Sequence, residues 1–199
     1  MPALSSAEDV LATELKEIYS AERQLSRFIP RIAKKVTSER LREMLEQRRE
    51  RGASLIEQLD ETFSELEVGK GRLKNLAAEG LLEDINEHLN EIDNDKLLDP
   101  VLLAAVQKLE HYCIAAWGAA ASMGRLLEAR SVVQTMEKVL EEGKRFDQEM
   151  TELAESEINP QILAGEEDEE EAQEEEGESA SSHRSSSRSS RGKSSRRSH

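Results

Sequence analysis

Four charged residues stand where a helical core calls for apolar ones: Glu22, Arg48, Glu110 and Asp147. Glu110 falls in the series Leu103, Val106, Glu110, Cys113, Trp117, Ala120, Gly124 and Leu127. That spacing alternates three and four, the mark of one helix face. Glu22 interrupts Leu11, Leu15, Ile18, Leu25, Ile29 and Ile32 in the same way, and Arg48 interrupts Leu41, Leu45, Gly52, Leu55, Leu59, Phe63 and Leu66. Asp147 lies among Val133, Met136, Leu140, Gly143, Met150 and Ala154, and Arg51 sits one turn beyond Arg48 on a neighbouring edge. A charge on a buried face costs on the order of several kcal/mol unless it is paired or binds a metal. Two chemistries answer that cost. Carboxylates converging from several helices hold metal ions in many bundles. Alternatively, planar guanidinium groups pair bidentately with carboxylates and neutralise them. A single such charge reaches water from the margin of its stripe. Charges at matching levels on four helices point instead to one shared interior site.

The elements that position these residues are long helices. Aromatic residues make up only 3% of the 199-residue chain and charged residues 35%, a balance that favours helices over sheets. The first helix opens on Ser5 with Glu8 three residues on, a capping box, and Pro30 kinks it near its end. The second starts near Ser38 and stops at Gly69-Lys70-Gly71. A shorter helix carries Leu73, Leu76, Gly80, Leu81, Ile85, Leu89 and Ile92. Asp99 then caps the third long helix, with Pro100 in its first turn, and the fourth runs from about Ala129 to Ile158 before Asn159-Pro160. Two long helices, a long connection with its own helix, and two more long helices give an all-α, ferritin-like four-helix bundle with a single crossover. The domain spans 1–164.

Residues 165–199 differ in composition. Glu166 to Glu178 holds ten acidic residues and no base, and Ser179 to His199 is largely serine and arginine. Neither run has apolar residues to offset the entropy of ordering, so both read as a disordered tail. The Ser/Arg run is a candidate contact for nucleic acid. The formal net charge of -15 argues against such binding by the folded part. No apolar run spans a bilayer and no secretory signal opens the chain, so the expected address is cytoplasmic and no membrane partner is expected. Cys113 is the only cysteine. On the inward stripe it reads as a small apolar filler, with a redox thiol as the alternative. Apolar residues on the outer faces, Ile114, Leu126 and Val132, would support a homodimer.

Several stretches resemble one family. Tyr19-x-Ala21-Glu22-Arg23-Gln24-Leu25, Glu79-Gly80-Leu81, Lys108-Leu109-Glu110-His111-Tyr112-x-Ile114-Ala115-Ala116-Trp117-Gly118 and the ending Leu153-Ala154-Glu155-Ser156-x-Ile158-Asn159-Pro160 are similar to the YciE/YciF family of bacterial ferritin-like proteins over about residues 7–160. The resemblance implies a cytoplasmic, stress-associated, dimeric bundle with a di-iron centre. This chain departs from it at the ligands. Arg48 and Arg51 stand where the family has a His and a Glu, Cys113 and Gly143 stand where it has Glu, and only Glu22, Glu110 and Asp147 remain of the inner acids. Three carboxylates facing two guanidinium groups make a poor metal site, because arginine stays protonated. The expectation is therefore an internal network of Glu22, Arg48, Arg51, Glu110 and Asp147 in place of metal, no cofactor, and a non-catalytic protein acting by assembly or interaction. The alternatives are a di-iron or di-manganese oxidoreductase or iron-handling protein, and a nucleic-acid-associated protein acting through its tail.

Overall fold

Residues 4–163 are described in the computed structural model; the acidic and Ser/Arg runs lie outside them. The first helix, α1 (Ala7–Ile32), starts at Ser6, whose Oγ accepts the Asp9 N–H at 3.1 Å, while Ser5 donates its N–H and hydroxyl to the Asp9 carboxylate. The cap is thus Ser6 rather than Ser5, because Asp9, not Glu8, is the acid that reaches back. The helix runs through Pro30 and ends two residues later. The second, α2 (Glu39–Glu65), opens on Ser38, whose Oγ accepts the Leu41 N–H. The connection carries α3 (Leu76–Glu91), capped by Asn75, and one 3₁₀ turn. Then come α4 (Leu98–Leu126) and α5 (Arg130–Leu153), the latter continued by a π-helical turn over Ala154–Ile158. The chain divides after Ile158 into two units. In the second, residues 159–163 are helical. Among the described residues there is no strand, and no helix is long and apolar enough to cross a membrane.

Side-chain contacts fix the topology. Asp99, in the first turn of α4, is not the cap expected of it. Its buried carboxylate accepts the Thr37 N–H at 2.8 Å, the Thr37 hydroxyl at 2.6 Å and the Ser38 N–H at 2.7 Å, tying the start of α4 to the α1–α2 turn. About ten residues further along each helix, Arg48 of α2 meets Glu110 of α4. The two helices therefore run parallel, which a short loop cannot provide; α3 and its flanks supply the crossover. Arg40 pairs with Glu157 and Arg51 bonds the Glu142 carbonyl, so α5 is antiparallel to α2. The helices α1, α2, α5 and α4 close a four-membered ring around the core, and α3 packs outside against α1 and α4.

The stripes read on α1, α2 and α4 are buried, apart from half-buried Leu66 and Leu127. On α5 the buried set is Val132, Met136, Val139, Gly143, Phe146, Met150 and Leu153. The inner face thus passes through Phe146 instead of Asp147. Val132 is fully buried, which removes it from the outer surface, where Leu126 remains 70% exposed. On α3 the buried residues are Ala78, Leu82 and Ile85, and Leu76 is exposed.

Candidate functional site

At mid-height of the ring, Arg48 is fully enclosed between the carboxylates of α1 and α4. Its Nη1 and Nη2 donate to Glu22 Oε2 and Oε1, both at 3.0 Å, and its Nε donates to Glu110 Oε2 at 2.6 Å. Arg51 donates from Nη2 to Glu110 Oε1 at 2.5 Å and from Nη1 to the Glu142 carbonyl at 3.1 Å. Glu22, Arg48 and Glu110 are each no more than 2% exposed. Both oxygens of both carboxylates are thereby occupied, and two positive groups balance two negative ones. Trp117 lies against Arg48, with the guanidinium carbon 5.5 Å from the ring centroid, and Phe146 lies 4.8 Å from that of Arg51, contacts that favour a desolvated cation.

Burial works against a charged Arg48, but Glu110 and Glu22 outweigh it and hold the guanidinium well above its ordinary pKa. Arg51 moves the other way: burial lowers its pKa against the pull of Glu110, with Arg48 repelling it. Arginine stays protonated under either influence.

Two glycines make room for this cluster. A Cβ at position 52 would lie 2.7 Å from Glu22 Oε2 and 3.0 Å from Arg48 Nη1. One at position 143 would lie 2.5 Å from Trp117 Cζ3 and 3.0 Å from Glu110 Oε1. Close approach of α2 to Glu22 and of α5 to Trp117 therefore needs glycine, for lack of space rather than for backbone conformation. The sequence displays both glycines on inner stripes, but it does not show what faces them. Trp117 as the filler of the Gly143 notch was legible in no single-helix pattern.

Asp147 does not join the cluster. It stands at the margin of its stripe, where it pairs with the exposed His111 at 3.0 Å and lies 3.5 Å from Gln107 Nε2. Because the core-facing slot belongs to Phe146, the Asp147 carboxylate is directed along the α4–α5 seam. The expected five-residue network is thus four residues in the structure.

Cys113 lies beneath Arg48, with Sγ 3.6 Å from Nη2. Burial pushes its thiol pKa well up, Glu22 adds to this, and Arg48 only partly opposes it. Such a thiol is a poor nucleophile. Native-state labelling with an aromatic disulfide is expected to be silent until the protein unfolds. The same shift has a pH signature. The fold keeps the proton while the unfolded chain loses it, so this contribution is complete below the unfolded pKa and declines above it. This contribution should fall by about 1.4 kcal/mol per pH unit above roughly pH 9. Urea midpoints across that range should show a shallower decline for Cys113→Ala.

The donor set can be tested against two metal ions. Hard divalent ions take several carboxylate oxygens and usually imidazole. Here the interior offers two carboxylates whose oxygens already accept guanidinium N–H groups, and two nearby buried polar atoms without hydrogen-bond partners, Arg51 Nε and Trp117 Nε1, are donors. Among the described residues no group of three or more His, Cys, Asp or Glu side chains could hold a metal ion. The residues present do not fit a di-metal centre.

Comparison with known proteins places these features in a group. Residues 6–163 match the family model described as a domain of unknown function, DUF892. Protein YciF of Escherichia coli K12 is 34% identical over 157 residues, covering 78% of this chain and 95% of that protein. The crystal structure of the E. coli stress protein YciF superposes with a TM-score of 0.74, covering 78% of this chain and 99% of that one. YcfI from Rhodopseudomonas palustris, proposed to be a structural protein, gives a TM-score of 0.72 at 27% identity, with 75% of this chain and 96% of that one covered. A protein from Xanthomonas campestris shares the fold at 16% identity, with a TM-score of 0.64, 81% of this chain and 99% of that one covered.

Proposed function

Because this chain belongs to the DUF892 family, we propose that it is a YciF-like, stress-associated protein that acts by assembly and interaction rather than by catalysis, and that an arginine–carboxylate network takes the place of a di-metal centre inside its bundle. The observation that carries the reading is the saturation of Glu22 and Glu110 by Arg48 and Arg51. A centre that activates oxygen or stores iron needs open coordination positions. The guanidinium groups supply positive charge at that depth but no orbital for a ligand. The network contributes less to net stability than to the register of α1, α2 and α4, since its desolvation offsets most of its attraction. The relative proposed to be a structural protein supports a non-catalytic role, and the one described as a stress protein supports the stress association. A homodimer in the cytoplasm is part of this proposal, with exposed Leu126 and half-buried Ile114 as contact candidates.

Elemental analysis of protein purified from cells grown with added iron and manganese tests the central point. Far less than one metal ion per chain is expected, unchanged by Glu22→Ala. Near-stoichiometric metal that disappears in that variant would refute the replaced-metal reading. Light scattering on the same sample gives the solution mass and tests the dimer.

A further inference from the structure

The chain is strongly acidic, yet the charged residues lining one groove on its folded part are all cations. It runs between α1 and the α2–α3 connection, encloses about 340 Å³, and is lined by Lys16, Arg23, Arg27, Lys70, Arg72 and Lys74 with no carboxylate. Lys70 pairs with Asp60 at 2.5 Å, and Lys74 pairs with Glu79. Lys16, Arg23, Arg27 and Arg72 have no carboxylate partner among the described residues. Such unrelieved like charge raises the energy of the folded state and is lowered by an anion.

The cations extend along both sides of the groove. Lys16, Arg23 and Arg27 lie on one face of α1, stepping through seven and four residues, which places the outer two about 16 Å apart along the helix. The opposite wall repeats the charge at every second residue, Lys70, Arg72 and Lys74. Cations on two facing walls match a row of linked phosphates better than a single one. Tyr19 lies on the floor and holds two of the cations: its ring is 5.7 Å from the Arg23 guanidinium carbon and 5.8 Å from Lys70 Nζ.

The walls are also fixed to each other. Buried Asn75 joins the connection to α1: its N–H donates to Ser20 Oγ at 3.0 Å, its Nδ2 to the Glu17 carbonyl at 3.1 Å and the Tyr112 hydroxyl at 2.6 Å, and its carbonyl accepts Gln24 Nε2 at 3.0 Å. Gly71 turns the connection at φ 65°, and the Lys16 Cδ atom comes within 4.0 Å of the place its Cβ would take. An anion entering this groove therefore meets prepositioned donors, which lowers the ordering cost of binding.

We propose that this groove is a binding site for a compact ligand carrying a chain of two or more linked phosphates. A long nucleic-acid strand is disfavoured, because beyond the groove it would run over the acidic remainder of the surface. The chemistry is that of a triphosphate, free or as part of a nucleotide. Titration calorimetry of the full chain with sodium tripolyphosphate and with ATP, at low and at moderate salt, tests it. One site is expected, weakened by salt, and about a hundredfold weaker in Arg23→Glu/Arg27→Glu/Arg72→Glu. These residues are exposed, so the variant should keep the helical circular dichroism and melting temperature of the parent. Equal affinity for both probes would support a site reading phosphates alone; tighter ATP binding would support a nucleotide site. Binding unaffected by the triple change would place the anion elsewhere on the chain and overturn the proposal. So would an absence of binding at millimolar probe, or tighter groove-dependent binding of a single-stranded oligonucleotide.

Discussion

Replacing Arg48 with alanine is expected to cost about 3–5 kcal/mol of stability, a large share of what a single domain possesses. The reason is the asymmetry of buried ion pairs. The intact network contributes little net energy, because both signs had to leave water. Removing its cation leaves Glu22 and Glu110 in the core, each about 1% exposed, with only Arg51 still donating to one of them. Trp117 lies against the guanidinium and would line the space it leaves. Arg48→Lys should be intermediate: an ammonium group cannot serve Glu22 bidentately and reach Glu110 as well. The decisive comparison is Glu22→Leu/Arg48→Met/Arg51→Met/Glu110→Leu. Removing both signs together should leave stability within roughly 1–2 kcal/mol of the parent, or above it. Urea unfolding at pH 7 measures all three. An Arg48→Ala loss below about 1 kcal/mol would mean that the cluster is hydrated and that its geometry is not that of a sealed interior.

The inner faces of α1, α2 and α4 were legible because each repeats its apolar positions through six turns or more, and a charge inside such a series stands out. The fourth long helix misled. Val133, Leu140, Asp147 and Ala154 and the alternative Val132, Val139, Phe146 and Leu153 both interleave with Met136, Gly143 and Met150 at spacings of three and four. Neighbouring residues are about 100° apart on a helix, so either set completes a face. Phe146 took the inner slot, as the larger apolar group, and Asp147 moved to the margin. The topology was legible from connection length alone. The Trp117–Gly143 fit and the role of Asp99 were not, since both depend on how one helix is registered against another, which no single-helix period encodes. The basic groove was hidden for a different reason. Net charge sums over the surface, and the cations of α1 and of the α2–α3 connection lie more than forty residues apart in sequence.

That Trp117–Gly143 fit governs the second large effect, the gain of a metal site. Arg48→His, Arg51→Glu and Gly143→Glu together put carboxylates from all four long helices, and one imidazole, at the level of Glu22 and Glu110. By ligand count alone this should suffice. The packing says otherwise: a side chain at position 143 meets Trp117 Cζ3 at 2.5 Å before it reaches the centre. Trimming Trp117 to leucine in the same protein vacates the volume that the carboxylate introduced at position 143 needs. Without metal, this four-residue variant buries four carboxylates with no cation and should be unfolded or expanded at neutral pH. With manganese or iron(II) at about a thousand times its dissociation constant, binding contributes about 4 kcal/mol to the folded state, enough to restore cooperative melting. The parent should melt at the same temperature with and without the metal. The three-residue variant that keeps Trp117 should respond weakly, because its fourth carboxylate is held off the site. Scanning calorimetry with and without about 1 mM metal, an excess chosen on the same linkage argument, separates these cases. A strong response from the three-residue variant would show that Trp117 yields readily and that the guanidinium groups alone keep metal out. No response from either would show that the helix spacing set by Gly52 and Gly143 has closed the interior too far for ligands to recover it.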